Sequence, residues 1–270
     1  LQAGTTFGCA GWGENFQRAA GVQNENLQCA APPGTAYGTV VQRKARVVVQ
    51  SLSHMLQQGV HYAESHASTV QWNSQRLLLA LGVQYKLKMA LRDLESFYLK
   101  GDIDPDMEPI FMRQVKGFEE PGKADWLMQL LQGLYGLKHA GNLAQSKLRV
   151  CFEDGDGLKR CTADDCVYVR PDIKIGQPGY AALGTHVDDM FCIGDEAGQS
   201  KIDEQLDKVF TVKTEYSPAV LTGVQLEYDE ERGYAKLHMA SYIEQMLEKC
   251  GMTDCNPLPI PLDPGIPKGP

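Results

Sequence analysis

Two acidic stretches carry most of the chemistry that this sequence can do. In GTHVDDMFCIGD, residues 184–195, Asp188 and Asp189 sit at the junction of two apolar runs, Ala181 to Leu183 and Met190 to Ile193. Such runs joined by a tight turn predict a β-hairpin with both carboxylates at its tip. On its own an acidic pair in a turn is ordinarily solvated decoration, because Asp is a good turn residue. In DLESFYLKGDI, residues 93–103, Asp93 lies near the end of a strand-like run and is followed by Phe97 and Tyr98. If the two strands are neighbours in one sheet, Asp93 faces the Asp188–Asp189 turn. Like charges about 4 Å apart repel by ~1 kcal/mol in water and ~4 kcal/mol at an effective dielectric near 20, so such a cluster calls for a cation. Magnesium suits it, since that ion takes one or two carboxylates and completes its shell with water and phosphate oxygens.

The elements that must position these residues follow from the apolar periods. Residues 74–86 suit a buried helix, Lys88 to Leu94 a strand, and residues 166–169 another strand. Ile202, Leu206, Val209 and Phe210, and again Ile243, Met246, Leu247 and Cys250, fall at helical spacing and predict two amphipathic helices. Residues 223–228 and 234–239 flank a turn containing Gly233 and predict a hairpin. Switching between helical and strand periods indicates a mixed layer fold. Residues 1–40 hold only Glu14, Arg18 and Glu25 as charges and no persistent period, so they read as a loosely ordered lead segment. Residues 257–270 hold six of the 14 prolines and read as an exit linker.

Taken together, KARVV (44–48), RLLLAL (76–81), DLESFYLKGDI, FMRQVKGFEEPG (111–122), LYGLKHA (134–140) and HVDD (186–189) resemble the reverse transcriptase of copia-type (Pseudoviridae) LTR retrotransposons. YIEQMLEKCGMTDCNP (242–257) and PLDP (261–264) extend the resemblance, which covers roughly residues 43–264. It implies an α+β fold of right-hand polymerase type: a palm, an antiparallel sheet with helices on one face, together with fingers and an incomplete thumb. Palm and fingers would fill residues 41–256, with the palm in 87–112 and about 144–240, the fingers in 41–86 and 113–143, and the helix from 240 starting toward the thumb.

By motif position the resemblance implies that Asp93, Asp188 and Asp189 are the catalytic, metal-holding carboxylates for two magnesium ions, with manganese as a substitute. Lys44 and Arg46 fall at cationic positions that meet the triphosphate; the alternative for them is solvated charge on a strand edge. Tyr98 falls at the aromatic gate beneath the sugar, with Leu94 also beside the nucleotide; the alternative for Tyr98, given less weight, is an aromatic filling the core beside Phe97. Gly136 and Lys138 match a template-contacting loop, where a plain turn explains Gly136 almost as well. The implied partners are an RNA template, a DNA primer, dNTP and the integrase and ribonuclease H segments of one polyprotein. The implied setting is a cytoplasmic virus-like particle or the nucleus, without a membrane.

Several positions depart from the family pattern. His186 stands where Tyr is usual, Phe97 where Ala is usual, and His139, Ala140, Gly141 and Asn142 follow LYGLK in place of Gln-Ala-Pro-Arg. ESHASTV (64–70) lacks the expected proline. Such losses raise an alternative: a catalytically inactive descendant that serves only as a nucleic-acid or protein binding scaffold. A generic magnesium phosphodiesterase would share the carboxylates but give Lys44, Arg46 and Tyr98 no role.

The composition narrows the field. A net charge of -8 argues against phosphate-backbone binding through a broadly basic surface, so nucleic-acid contacts must be local. Eight scattered cysteines predict reduced thiols rather than a disulfide scaffold. Cys161/Cys166 and Cys250/Cys255 sit at the upper edge of zinc-ligand spacing, but apolar surroundings predict core thiols. No apolar run approaches a membrane span, no signal peptide is legible, and the start at Leu1 predicts a piece of a longer translation product.

Overall fold

The computed structural model describes residues 46–49, 56–153, 157–229 and 231–257. The lead segment expected at 1–40, Lys44, and the linker beyond Pro257 lie outside the described residues.

The centre of the fold is a six-stranded antiparallel sheet. Its strands are β1 (Lys88–Glu95), β4 (Lys159–Arg160), β5 (Val167–Val169), β6 (Ala181–His186), β7 (Asp189–Gly194) and β8 (Thr211–Tyr216), in the spatial order β4-β5-β6-β7-β1-β8. The strands β6 and β7 are apolar along most of their length because both of their faces are covered. On one face lie α2 (Ala140–Glu153) and α3 (Glu196–Leu206). Their Ala144, Leu148, Phe152, Ile202 and Leu206 pack on Leu94, Leu183, Met190 and Cys192.

The opposite face takes α1 (Trp72–Gln84), whose Leu78 and Leu79 cluster with Met89, Ala182, Phe191 and Ile193. A Cβ on Gly82 would lie 2.7 Å from Met89 Cε, so the missing side chain lets α1 settle close to the sheet. A second small sheet, β9 (Val220–Leu221), β10 (Val224–Asp229) and β11 (Tyr234–His238), covers more of this face through Leu221 and Leu226. The expectation of helices on one face only is therefore corrected: the buried face of α1 needs a partner, and the alternate residues of β1 and β7 provide it.

The first predicted helix, the β1 strand, the β6–β7 hairpin and the β10–β11 hairpin all form. The spacing from Ile202 to Phe210 outruns its helix, which ends at Leu206, while Phe210 still closes the core at 4% exposure. The helix α2, absent from the sequence reading, buries Ala140, Ala144, Leu148 and Phe152 along one stripe. The short β2 (Phe111–Arg113) and β3 (Leu127–Gln129) pair as a separate ribbon. A final helix, α4 (Ala240–Lys249), is amphipathic but buries none of its residues, so Cys250 at its end is exposed rather than the core thiol expected. Cys166 is buried as expected.

Candidate active site

The β6–β7 hairpin turns on two residues, Val187 and Asp188, between the paired His186 and Asp189. Val187 has φ 60°. A positive φ costs a β-branched residue of order 1–3 kcal/mol, so the surrounding structure must hold the turn. Two contacts do so: the Leu94 N–H donates to the Asp188 carbonyl at 2.9 Å, and Val187 packs against the core under α2.

Strand register then lines up four ionisable side chains across the sheet. His186 on β6 faces Asp189 on β7, Asp189 faces Asp93 on β1, and Asp93 faces Lys213 on β8. Asp93 and the Asp188–Asp189 pair, far apart in sequence, thus meet at one end of the sheet. Burial, with Asp188 and then Asp93 adding to it, pushes the Asp189 carboxyl above the usual range, and His186 opposes the shift. Lys213 was missed by the sequence reading. It pairs with Glu95 at 2.5 Å, and that pairing, together with Asp93, pushes its ammonium pKa up. Only the β1–β8 pairing reveals its place.

Among the described residues no three His, Cys, Asp or Glu side chains converge into a ready-made metal cage. Three carboxylates within electrostatic reach at one sheet end still match what magnesium asks of a protein: few ligands, with water and phosphate completing the shell.

Beside the carboxylates, Tyr98 lies on a short 3₁₀ turn, Phe97–Leu99, directly after β1. Burial raises its hydroxyl pKa, and Asp188 and Tyr135 add to the shift. Its ring packs on Tyr135 with centroids 5.8 Å apart, and the Arg46 guanidinium lies 5.4 Å over the Tyr135 ring. A cation is thus linked to the carboxylate end through two aromatic rings. Arg46 is exposed, and residues 46–49 form no strand, so the strand-edge expectation does not hold there.

Tyr98, Gly141, Gln145, Thr185 and Val187 line a cavity of about 160 Å³. Phe97 reaches that cavity only from the core, where it is 3% exposed and sits edge-on to Tyr98. Leu94, expected beside the nucleotide, has its side chain turned into the core by strand alternation, at 1% exposure, while its backbone N–H supports Asp188. Gly136, at φ 92°, and Lys138 are exposed on the loop before α2. A Cβ on Gly136 would lie within 2.1 Å of the Val49 carbonyl, so the residue lets segment 46–49 dock by the Val49 N–H to Tyr135 carbonyl bond of 2.7 Å. His139 is buried and stacks on Tyr62 at 5.0 Å, with neither ring nitrogen hydrogen-bonded among the described residues.

With this geometry in view, comparison with known proteins is decisive. A family model described as reverse transcriptase (RNA-dependent DNA polymerase) matches residues 35–264. The chain belongs to this family. It is 29% identical over 224 residues to the retrovirus-related Pol polyprotein from transposon TNT 1-94 of Nicotiana tabacum, a match covering 83% of the chain and 16% of that protein. It is 24% and 23% identical to the Pol polyproteins from transposons RE1 and RE2 of Arabidopsis thaliana, over 84% and 83% of the chain and 15% of each. The chain therefore spans about one-sixth of the length of these curated relatives. No solved structure matches. The copia-type resemblance read from the motifs is borne out. Among the described residues no helix is long and apolar enough to cross a membrane.

Proposed function

We propose that this chain is the RNA-directed DNA polymerase part of a retrotransposon Pol polyprotein, joining dNTP to a primer 3′ hydroxyl. The six-stranded sheet with α2 and α3 would be the palm. The segments around β2, β3 and Arg46 would belong to the fingers, and α4 would lead toward the thumb. The observation that carries the reading is the register opposition of Asp93 and Asp189, with Asp188 at the same strained turn.

Asp93, Asp188 and Asp189 would hold two magnesium ions, or manganese in their place. Bound there, the metal supplies the charge that lowers the pKa of the primer hydroxyl and offsets the charge of the triphosphate and the leaving pyrophosphate. The residues around it orient the substrates. Arg46, with Lys44 at the other cationic position of the motif, would meet the triphosphate. Tyr98 would sit beneath the deoxyribose, and Gly136 and Lys138 would lie along the template strand. The RNA template and DNA primer would be held locally, as the net charge of -8 requires. Integrase and ribonuclease H would be neighbouring segments of the same polyprotein, and the work would take place in a cytoplasmic particle or the nucleus.

The test is extension of a primed RNA template with four dNTPs and magnesium, comparing the parent with an Asp188→Asn/Asp189→Asn variant. Extension by the parent alone supports the reading. Absence of extension from a folded parent would favour the inactive binding scaffold, a reading to which the buried His139 and Gly141, in the first turn of α2, would then belong.

A further inference from the structure

The strand that carries Asp93 is gripped from behind by a buried charge. Arg92 directly precedes Asp93, and strand alternation sends its side chain to the opposite face, where it is 0% exposed. There its Nε and Nη2 donate to the two carboxylate oxygens of Asp203 on α3, at 2.7 and 3.0 Å. Its Nη1 donates to Gln199 Oε1 at 2.7 Å, and Nη2 also reaches the Gln199 carbonyl at 3.3 Å. Gln199 Nε2 in turn donates to the Lys88 carbonyl at 3.0 Å, so α3 holds β1 at two points on one face. The Tyr216 hydroxyl joins Asp203 at 3.4 Å from β8, the strand whose Lys213 faces Asp93.

A buried ion pair contributes little net stability compared with well-packed apolar residues. What a bidentate fork adds is a fixed geometry, because it tolerates neither sliding nor rotation as an aliphatic contact does. That geometry is needed where Asp93 and Asp189 face one another and repel. Arg92 itself is opposed by Met190, the neighbour of Asp189 on β7.

We propose that Arg92 is a positioning residue: through Asp203 and Gln199 it fixes the depth of β1 against β7 and so sets the spacing of Asp93 and Asp189 for a divalent cation. This rests on the reading of those carboxylates as the metal site.

The test measures Mn²⁺ binding by electron paramagnetic resonance, with thermal melting alongside, in the parent, in an Arg92→Met/Asp203→Leu variant and in Arg92→Lys. The double variant removes both charges together and leaves no buried ion unpaired, and Arg92→Lys keeps the charge without the fork. The positioning role predicts a double variant that melts at or above the parent temperature yet binds Mn²⁺ roughly tenfold more weakly, the lower end of what supporting groups around metal ligands contribute. Arg92→Lys is expected to weaken binding in the same direction. Parent-like affinity in either folded variant overturns the role of Arg92 and leaves the metal site standing. A parent that binds no Mn²⁺ removes both.

Discussion

Replacing Gly136 by Ala should uncouple Arg46 from the carboxylate end of the sheet while leaving the core intact. A side chain at φ 92° costs of order 1–3 kcal/mol. The new Cβ would also meet the Val49 carbonyl at 2.1 Å and Val48 Cγ1 at 2.9 Å, so residues 46–49 must move by about an ångström or more to restore van der Waals distance. That movement breaks the Val49–Tyr135 backbone bond, worth about 0.5–1.5 kcal/mol. It also lifts Arg46 off the Tyr135 ring, worth about 0.5–1 kcal/mol at an exposed site. Together these lower the docked population by up to roughly 5- to 60-fold, at 1.4 kcal/mol per tenfold, and the apparent affinity for dNTP falls with it. Steady-state single-nucleotide extension should show KM raised several-fold with a smaller change in kcat. Hydrogen exchange should quicken at the Val49 amide. Unchanged exchange together with an unchanged KM would refute the reasoning.

Other perturbations follow from the same geometry. Leu148→Ala, which opens a cavity beneath the hairpin turn, should cost about 2–5 kcal/mol in urea unfolding. The Asp102 carboxylate accepts from Lys147 at 2.6 Å and from Gln132 at 3.2 Å, and the Lys147 hydrogen bond holds its pKa below the ordinary value. Its contribution is therefore present above the unfolded carboxylate pKa and lost as pH falls through the lower folded value. Because the pair is half exposed, Asp102→Asn should cost no more than roughly 1 kcal/mol at pH 7, less in high salt, and nothing in strong acid. The Asp189 carboxyl is shifted the other way, so in chelator its ionisation weakens the fold as pH rises through the folded value. Asp189→Asn should then melt slightly above the parent at neutral pH, with the gap closing below about pH 4. Added magnesium should raise the melting temperature of the parent more than that of the variant.

Much of the site was legible because its signals are local. The carboxylate pair sits between apolar runs that can only be strands, and two residues are all that the hairpin turn requires. The opposition of Asp93 depended on β1 lying beside β7, an inference from motif order that the register then supplied. Lys213 and Arg92 were not legible, since each has its meaning only through a partner on another element: Asp93 for Lys213, Asp203 for Arg92. The α2 stripe repeats every fourth residue but begins with two alanines, which carry little apolar weight, and the helix passed unseen. The reverse held for α4, where helical spacing predicted a buried face that none of the described residues covers. For Leu94 the reason is simpler: as the next residue after Asp93, its side chain falls on the other side of the sheet.

The most direct test of the central claim is single-nucleotide extension by Asp93→Asn, because only the sheet register, and not sequence proximity, joins Asp93 to the Asp188–Asp189 pair. The account predicts a variant that melts like the parent in chelator yet loses several kcal/mol of transition-state stabilisation, more than about a hundredfold in rate. A folded Asp93→Asn variant that extends the primer at the parent rate would contradict it.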